Sequence, residues 1–382
     1  MSFEFDVHVC LVSAQPVPNL LPVIDPQLGP REKKVILLVS REMKARADNL
    51  RRVLKSRGVT CEDIEFEDAY DYNTIRDKLL DCLAGYDENT RIVLNVTGGT
   101  KIMTVAAQSV FDVAGRPMLY VRESDSAVMM FTGGGGPQEQ TRLGTRLTLT
   151  EYFHAYGFDV EKSAPPVDRP DFARTLISRP GEFDRPLSVM NGIIAEGRRA
   201  DRHQQEFVIE PDKLTELEDL ITLCVFHKLA RRLGRRLIFV NEAALKFVSG
   251  GWLEEYVYQQ LGAVGKGRVD DKALGLTITR HKAANELDVV FLAANRLHVV
   301  ECKTGRLAEE KGGAVLYKLN SIRKETGLNP RAMLVSYRAV DNSASARQHP
   351  HTDRARELGI KVIQHEQLKS LKNHLETWIS EI

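Results

Sequence analysis

The five cysteines of this 382-residue chain (Cys10, Cys61, Cys82, Cys224 and Cys302) include no pair in a Cys-x-x-Cys spacing. That pattern argues against a zinc site and a disulfide framework, and it predicts a cytoplasmic protein. No apolar run reaches membrane length, and the first residues, MSFEFDVHVC, lack the layout of a signal peptide. An excess of one charge is missing too. The formal net charge is +1, so any contact with nucleic acid has to come from local patches. Internal repeats and long low-complexity tracts are absent. What is present is a composition of 43% hydrophobic and 27% charged residues, in a length sufficient for two or three domains.

The most informative stretch runs from Asn285 to Gly305, NELDVVFLAANRLHVVECKTG. It predicts two strands, Leu287 to Leu292 and Leu297 to Cys302, joined by a turn at Ala293-Ala294-Asn295. Polar residues interrupt this apolar text at Asp288, Glu301 and Lys303. Alternation along a strand puts Glu301 and Lys303 on one face, and a hairpin brings Asp288 beside them. Two carboxylates are hard ligands suited to Mg2+ or Mn2+, and a neighbouring ammonium can orient water or offset charge on a phosphate.

The text Asp288…Glu301-Cys302-Lys303 resembles the PD-(D/E)xK nuclease superfamily: an acid, a gap, then acid-x-Lys on the next strand. Leu287 stands where that pattern often has proline. The resemblance implies metal-dependent phosphodiester hydrolysis, with Asp288 and Glu301 as metal ligands and Lys303 at the attacking water. In this superfamily an acid from the first helix often joins the site. The predicted helix Gly250 to Leu261 places Glu254 on a stripe with Val257 and Leu261, so Glu254 is the fourth candidate. Around this motif the text predicts a mixed sheet: a first strand from Leu274 to Arg280, a helix from Tyr317 to Glu325, a strand from Arg331 to Ser336, a helix from Arg354 to Leu358, a strand from Lys361 to Ile363 and a final helix from Leu368 to Trp378. His281 reads as a surface or structural residue.

The N-terminal part alternates strands with helices and predicts a parallel, doubly wound sheet. In such sheets ligands sit beyond the carboxyl ends of the strands, where the strand order reverses. Two loops there have suitable chemistry. Thr97-Gly98-Gly99-Thr100-Lys101 follows the strand Arg91 to Val96 and opens a helix. Its glycines let backbone N–H groups approach a phosphate, and Lys101 adds a charge. The spacing is that of neither a P-loop nor a dinucleotide fingerprint. Ser13, Gln15 and Asn19, in the loop after the strand Phe5 to Val12, supply hydrogen-bonding groups for bases or ribose. Ser40, after the second strand, is a further candidate.

The segments NVTGGTKIM and VSAQPVPN together resemble the CARF domain, the sensor of cyclic oligoadenylates in type III CRISPR systems. With the nuclease motif, the whole chain resembles the CRISPR ancillary nucleases in which a CARF domain is fused to a restriction-endonuclease-like domain. The resemblance implies an α/β fold: a Rossmann-like CARF domain plus a C-terminal mixed α/β domain. It also implies a homodimer with one cyclic tetra-adenylate across its axis as allosteric activator. The ligand contacts it carries over are Ser13, Gln15 and Asn19, with Thr97, Gly98, Gly99, Thr100 and Lys101. The substrate is DNA, RNA or both. Two rival readings are a ligand-gated nucleic-acid-binding regulator without turnover, and a ring nuclease that degrades its own activator.

The domains expected are a sensor at 1–150, a linker and helical connector at 151–239, and a nuclease at 240–382. Gly133 to Gly136 and Pro137 predict a flexible turn that ends the sensor's last strand. Ser163 to Pro186 holds five prolines and predicts an irregular linker. Leu187 to Val208 resists assignment. Thr215 to Leu233 predicts a helix with Arg231, Arg232, Arg235 and Arg236 clustered at its end, either a solubility patch or a contact to phosphates.

Overall fold

The computed structural model describes residues 4–123, 125–132, 139–161, 165–305, 309–341 and 350–381. The expected turn at Gly133 to Pro137 lies outside them. The N-terminal half is built from β1 (Val7–Leu11), α1 (Val17–Ile24), β2 (Lys34–Ser40), α2 (Lys44–Ser56), β3 (Thr60–Phe66), α3 (Tyr72–Ala84), β4 (Ile92–Asn95), α4 (Lys101–Val113), β5 (Met118–Arg122), β6 (Ala127–Phe131) and β7 (Glu139–Arg142). Its sheet has the order β3-β2-β1-β4-β5-β6-β7. The first five are parallel and the last two antiparallel. Both faces of the sheet's centre are covered by helices, which is why β1, β2 and β4 are buried almost throughout, while the edge strand β3 is mostly exposed. The chain adds strands outward from β1 and then returns to β4 on its other side. The switch point therefore lies between the ends of β1 and β4.

The middle of the chain folds as α5 (Leu149–Ala155), β8 (Asp159–Glu161), α6 (Pro170–Ser178), α7 (Pro180–Ala200), β9 (Glu206–Val208), α8 (Pro211–Phe226), β10 (Ala230–Leu233), β11 (Arg236–Phe239) and α9 (Glu242–Lys246). Two expectations are corrected here. From Pro170 onward the proline-rich stretch is helical rather than irregular. Pro170 and Pro180 open helices, where a missing N–H costs nothing, and Pro186 lies early in α7. The expected helix Thr215 to Leu233 stops at Phe226, and Lys228 then takes φ 58°. The arginines lie instead on the β10–β11 hairpin, turned by Gly234 at φ 60°, with Arg232 paired to Glu218 and Arg236 to Glu206.

The C-terminal part contains α10 (Trp252–Ala263), β12 (Asp271–Arg280), β13 (Ala283–Ala293), β14 (Arg296–Lys303), α11 (Glu309–Glu325), β15 (Arg331–Ser336), α12 (Pro350–Glu357), β16 (Ile360–Gln364) and α13 (Leu371–Ser380). Its mixed sheet has the order β16-β15-β14-β13-β12-β8. Along β13, Val289 and Phe291 pack in one core with α10, α13 and α6–α8. Val290 and Leu292 pack in another with α11 and with Val93, Leu119 and Val121 of the first sheet. The two halves thus share a continuous apolar core through α5. Among the described residues no helix is long and apolar enough to cross a membrane.

The turn between β13 and β14 fastens the halves together. Ala294 and Asn295 take φ 50° and 60°. The buried Asn295 carboxamide accepts from Leu147 N at 2.8 Å and donates to Thr145 O at 3.0 Å. Asn295→Ala leaves two buried backbone groups unpaired and puts alanine where asparagine is favoured. It should lower stability by about 2–3 kcal/mol, read as a shift of the urea unfolding midpoint.

Candidate active site and ligand cleft

The carboxylates come together where two strands part. The β13–β14 ladder ends at Val289 opposite Val300, and β12 carries Gly275 at φ 57° between its pairs to Val289 and Leu287. The Asp288 side chain fills the gap. Its Oδ2 accepts from Cys302 N at 2.7 Å. Glu301, 3% exposed, continues β14 beside β15. Lys303 follows on the same face, with Nζ 2.7 Å from Glu301 Oε1 and 4.0 Å from Asp288 Oδ2.

A second ammonium, absent from the sequence-based set, completes the cluster. Lys318 of α11 places Nζ 3.1 Å from Glu301 Oε2 and 3.0 Å from Glu286 O. Each oxygen of Glu301 therefore meets one lysine. The only sequence signal for Lys318 was its place in the helix after the motif. His281 lies in the β12–β13 turn at φ 50°, apart from the carboxylates. The neighbouring acids of α10 diverge. Glu255 accepts from Val167 N at 2.7 Å and Asp168 N at 2.9 Å, so it anchors the connector. Glu254 turns toward the cluster instead, and burial, followed by the charges of Asp288 and Glu286, pushes its carboxyl up to about 8.

Asp288 is pushed up to about 6, by burial first and then by Glu301. Burial works to lower the Lys303 ammonium, but Glu301 and Asp288 outweigh it and raise it. Burial carries the Cys302 thiol far above its usual range, which leaves it unreactive. Among the described residues no three His, Cys, Asp or Glu side chains form a ready-made ion cage. The donor set nevertheless fits a hard divalent ion: two close carboxylates, Asp288 and Glu301, with Asp288 raised by burial and then by Glu301.

The second site is an open cleft of roughly 610 Å³ at the β1/β4 switch point. Ser13, Gln15, Thr97, Gly98 and Gly99 line it, with Tyr120, Arg122 and Glu123 from the end of β5 and the turn after it. A Cβ on Gly98 would lie 2.2 Å from Leu11 O, so only glycine lets the two loops touch. The Thr97 hydroxyl donates to Asn95 Oδ1 at 2.6 Å and accepts from Val121 N at 2.8 Å, which fixes the cleft floor. Four candidates do not line the cleft. Asn19 is buried in α1 and donates to Leu11 O at 2.8 Å. Thr100 caps α4 by accepting from Met103 N and donates to Ala69 O. Lys101 is exposed on the first turn of α4, and Ser40 is buried at the end of β2.

Residues 7–152 match the family profile of the Card1 CARF domain, and residues 241–382 match that of the Card1-like endonuclease domain. The chain is a Card1-like fusion of a CARF domain to an endonuclease domain. Its fold is the one expected from the motifs. The chain resembles protein VC1899 from Vibrio cholerae at 25% identity and a TM-score of 0.86, over 98% of this chain and 97% of that one. It also resembles Can2 from Sulfobacillus thermosulfidooxidans, solved in complex with cyclic tetra-adenylate, at 28% identity and a TM-score of 0.79, over 98% of this chain and 99% of that one. A type III CRISPR defence DNA nuclease activated by cyclic oligoadenylate shares the fold over 88% of this chain and 46% of its own length, at 20% identity and a TM-score of 0.54. No curated protein matches the chain.

The acidic cluster of this CARF–endonuclease chain makes stability depend on pH. Glu254 ionises near 4.5 in the unfolded chain and only at about 8 in the folded one. The unfolded state loses its proton first, so stability falls as pH rises from about 4.5 to about 8. Asp288, raised from 3.8 to about 6, adds to the same slope. In buffer with chelator, Glu254→Gln should raise the melting temperature by several degrees at pH 8 and little at pH 5. Thermal melts at the two pH values check this.

Proposed function

We propose that this chain is an endonuclease switched on by a cyclic oligoadenylate, with cyclic tetra-adenylate as its activator. It acts in type III CRISPR defence in the cytoplasm, hydrolysing phosphodiesters of DNA and, as a second substrate, of single-stranded RNA. Residues 1–150 serve as the sensor, 151–239 as the connector and 240–382 as the nuclease. The observation that carries the reading is the convergence of Asp288, Glu301 and Lys303 at the fork of β13 and β14. The endonuclease family profile and the fold shared with Can2, solved with cyclic tetra-adenylate, support it.

In this reading Asp288 and Glu301 hold a Mg2+ or Mn2+ ion. When bound, that ion supplies a Lewis acid for the phosphoryl oxygen and lowers the pKa of a coordinated water. Lys303 stays protonated beside Glu301, where it orients the nucleophile and offsets charge on the phosphate. Glu254, protonated at neutral pH, keeps the wall of the site from adding a further negative charge. The CARF cleft takes the ring with Ser13, Gln15, Thr97, Gly98 and Gly99. A two-fold homodimer presents these loops twice, which suits a symmetric ring. The ring activates only through a higher affinity for the cleavage-competent state.

Plasmid nicking with Mn2+ should require cyclic tetra-adenylate and stop on addition of chelator. Glu301→Ala and Lys303→Ala should each lower the rate about 10²–10³-fold, the scale for removing a group that acts on the transition state. The affinity of Lys303→Ala for the ring should not change. Cleavage by either variant at the wild-type rate would remove the cluster from the reaction.

A further inference from the structure

One wall of the CARF cleft comes from the other half of the chain. Leu328 and Asn329 line it together with Gln15 and Glu123. They belong to the loop that joins α11 to β15 in the endonuclease half. The loop is shaped to reach the cleft. The Thr326 hydroxyl donates to Ile322 O at 2.7 Å and closes the helix, while the Thr326 carbonyl accepts from Tyr152 Oη at 2.7 Å. Gly327 takes φ 133°, and a Cβ there would lie 2.7 Å from Tyr156 Oη. Only glycine passes between the helix end and the tyrosines of α5.

Beyond that point the loop is pinned on both sides. Leu328 N donates to Gln15 Oε1 at 3.2 Å, which also accepts from Tyr156 Oη at 3.1 Å. Asn329 Nδ2 donates to Glu123 Oε2 at 3.2 Å. The Leu328 side chain is left 76% exposed at the cleft rim. Two polar groups that a guest meets in the cleft, Gln15 and Glu123, are thus already bonded to this loop. An adenine edge offers the N6 donor beside the N7 acceptor, which a carboxamide matches with two hydrogen bonds, and a purine face is apolar.

We infer that Leu328 and Asn329 are contact residues for the cyclic oligoadenylate, contributed by the endonuclease half: Asn329 exchanges Glu123 for an adenine edge, and Leu328 packs against the base. The inference rests on the reading of this cleft as the ring site. It has a consequence at the other end of α11. Lys318, the partner of Glu301 Oε2, lies about two turns before the helix end. A ring that rebuilds the loop acts on the same helix that holds the nuclease carboxylate.

Isothermal titration of the full-length protein with cyclic tetra-adenylate tests this. Asn329→Ala should weaken binding about tenfold, the equivalent of 1.4 kcal/mol, and Leu328→Ala several-fold. Both side chains are exposed, so Leu328→Ala should melt as wild type and Asn329→Ala, which also loses the bond to Glu123, within a few degrees of it. In wild type, addition of the ring should change amide exchange across residues 318–329. Wild-type or tighter affinity in both variants overturns the inference and leaves the cleft as the ring site. A wild-type protein that binds no ring overturns the reading of the cleft itself.

Discussion

The arrangement of the endonuclease half depends on keeping one buried carboxylate charged. Glu301 is 3% exposed, and an ionised carboxylate at that depth needs partners. It has one ammonium on each oxygen, Lys303 from its own strand and Lys318 from α11. The first is a consequence of strand alternation. The second fixes where α11 must lie, because a helix packed elsewhere would strand the charge. The remaining acids are accommodated differently. Asp288 bonds the Cys302 amide freed where the strands part, and Glu254 keeps its proton. The corner holds three carboxyl groups by pairing one, hydrogen-bonding one and neutralising one. The Asp288 and Glu254 carboxyls there are raised first by burial and then by neighbouring carboxylates.

That corner is not mechanically separate from the cleft some distance away. The core on the α11 face of the nuclease sheet runs through α5 into the edge of the sensor sheet, and Asn295 bonds the segment by which the chain leaves the sensor. β8, which follows α5, is itself a strand of the nuclease sheet. Two domains joined by a loose tether communicate through an interface of transient type. Here the interface is core, and interiors this closely packed transmit displacement rather than absorb it.

What was legible in the sequence follows from periodicity and local turn chemistry. Asp288, Glu301 and Lys303 could be grouped because a two-residue period and a short turn leave one way to fold the hairpin. The doubly wound sheet was legible from alternating strands and helices, and the cleft from the strand-order rule. That Asn19 and Thr100 do not line the cleft has a chemical reason. Small polar residues after a strand serve equally as ligand contacts, turn anchors and helix caps, and Thr100 is a cap. The stretch Ser163 to Pro186 reads as irregular in the sequence because proline marks both loops and first helical turns. Leu328 and Asn329 leave no signal in the sequence, and Lys318 leaves only its place in the helix after the motif. Their significance comes from tertiary packing, which brings a loop more than 300 residues away to Gln15.

The energetics of the shared loop suit a switch. The bonds from Leu328 to Gln15 and from Asn329 to Glu123 are exposed, and each contributes about 0.5–1.5 kcal/mol. A ligand that takes over the Asn329 bond does so at little net cost. Without the ligand, giving up that bond costs about 0.5–1.5 kcal/mol, at the lower end of allosteric coupling free energies. Stronger bonds would keep the ring out, and weaker ones would leave α11 indifferent to its presence. The Tyr152 and Tyr156 hydroxyls sit at the fulcrum between these limits. One holds the helix end through Thr326 O and the other holds Gln15, so the loop can exchange partners at its tip while its base stays fixed. A lever of this kind needs no change of fold, only a choice of partner for two side chains.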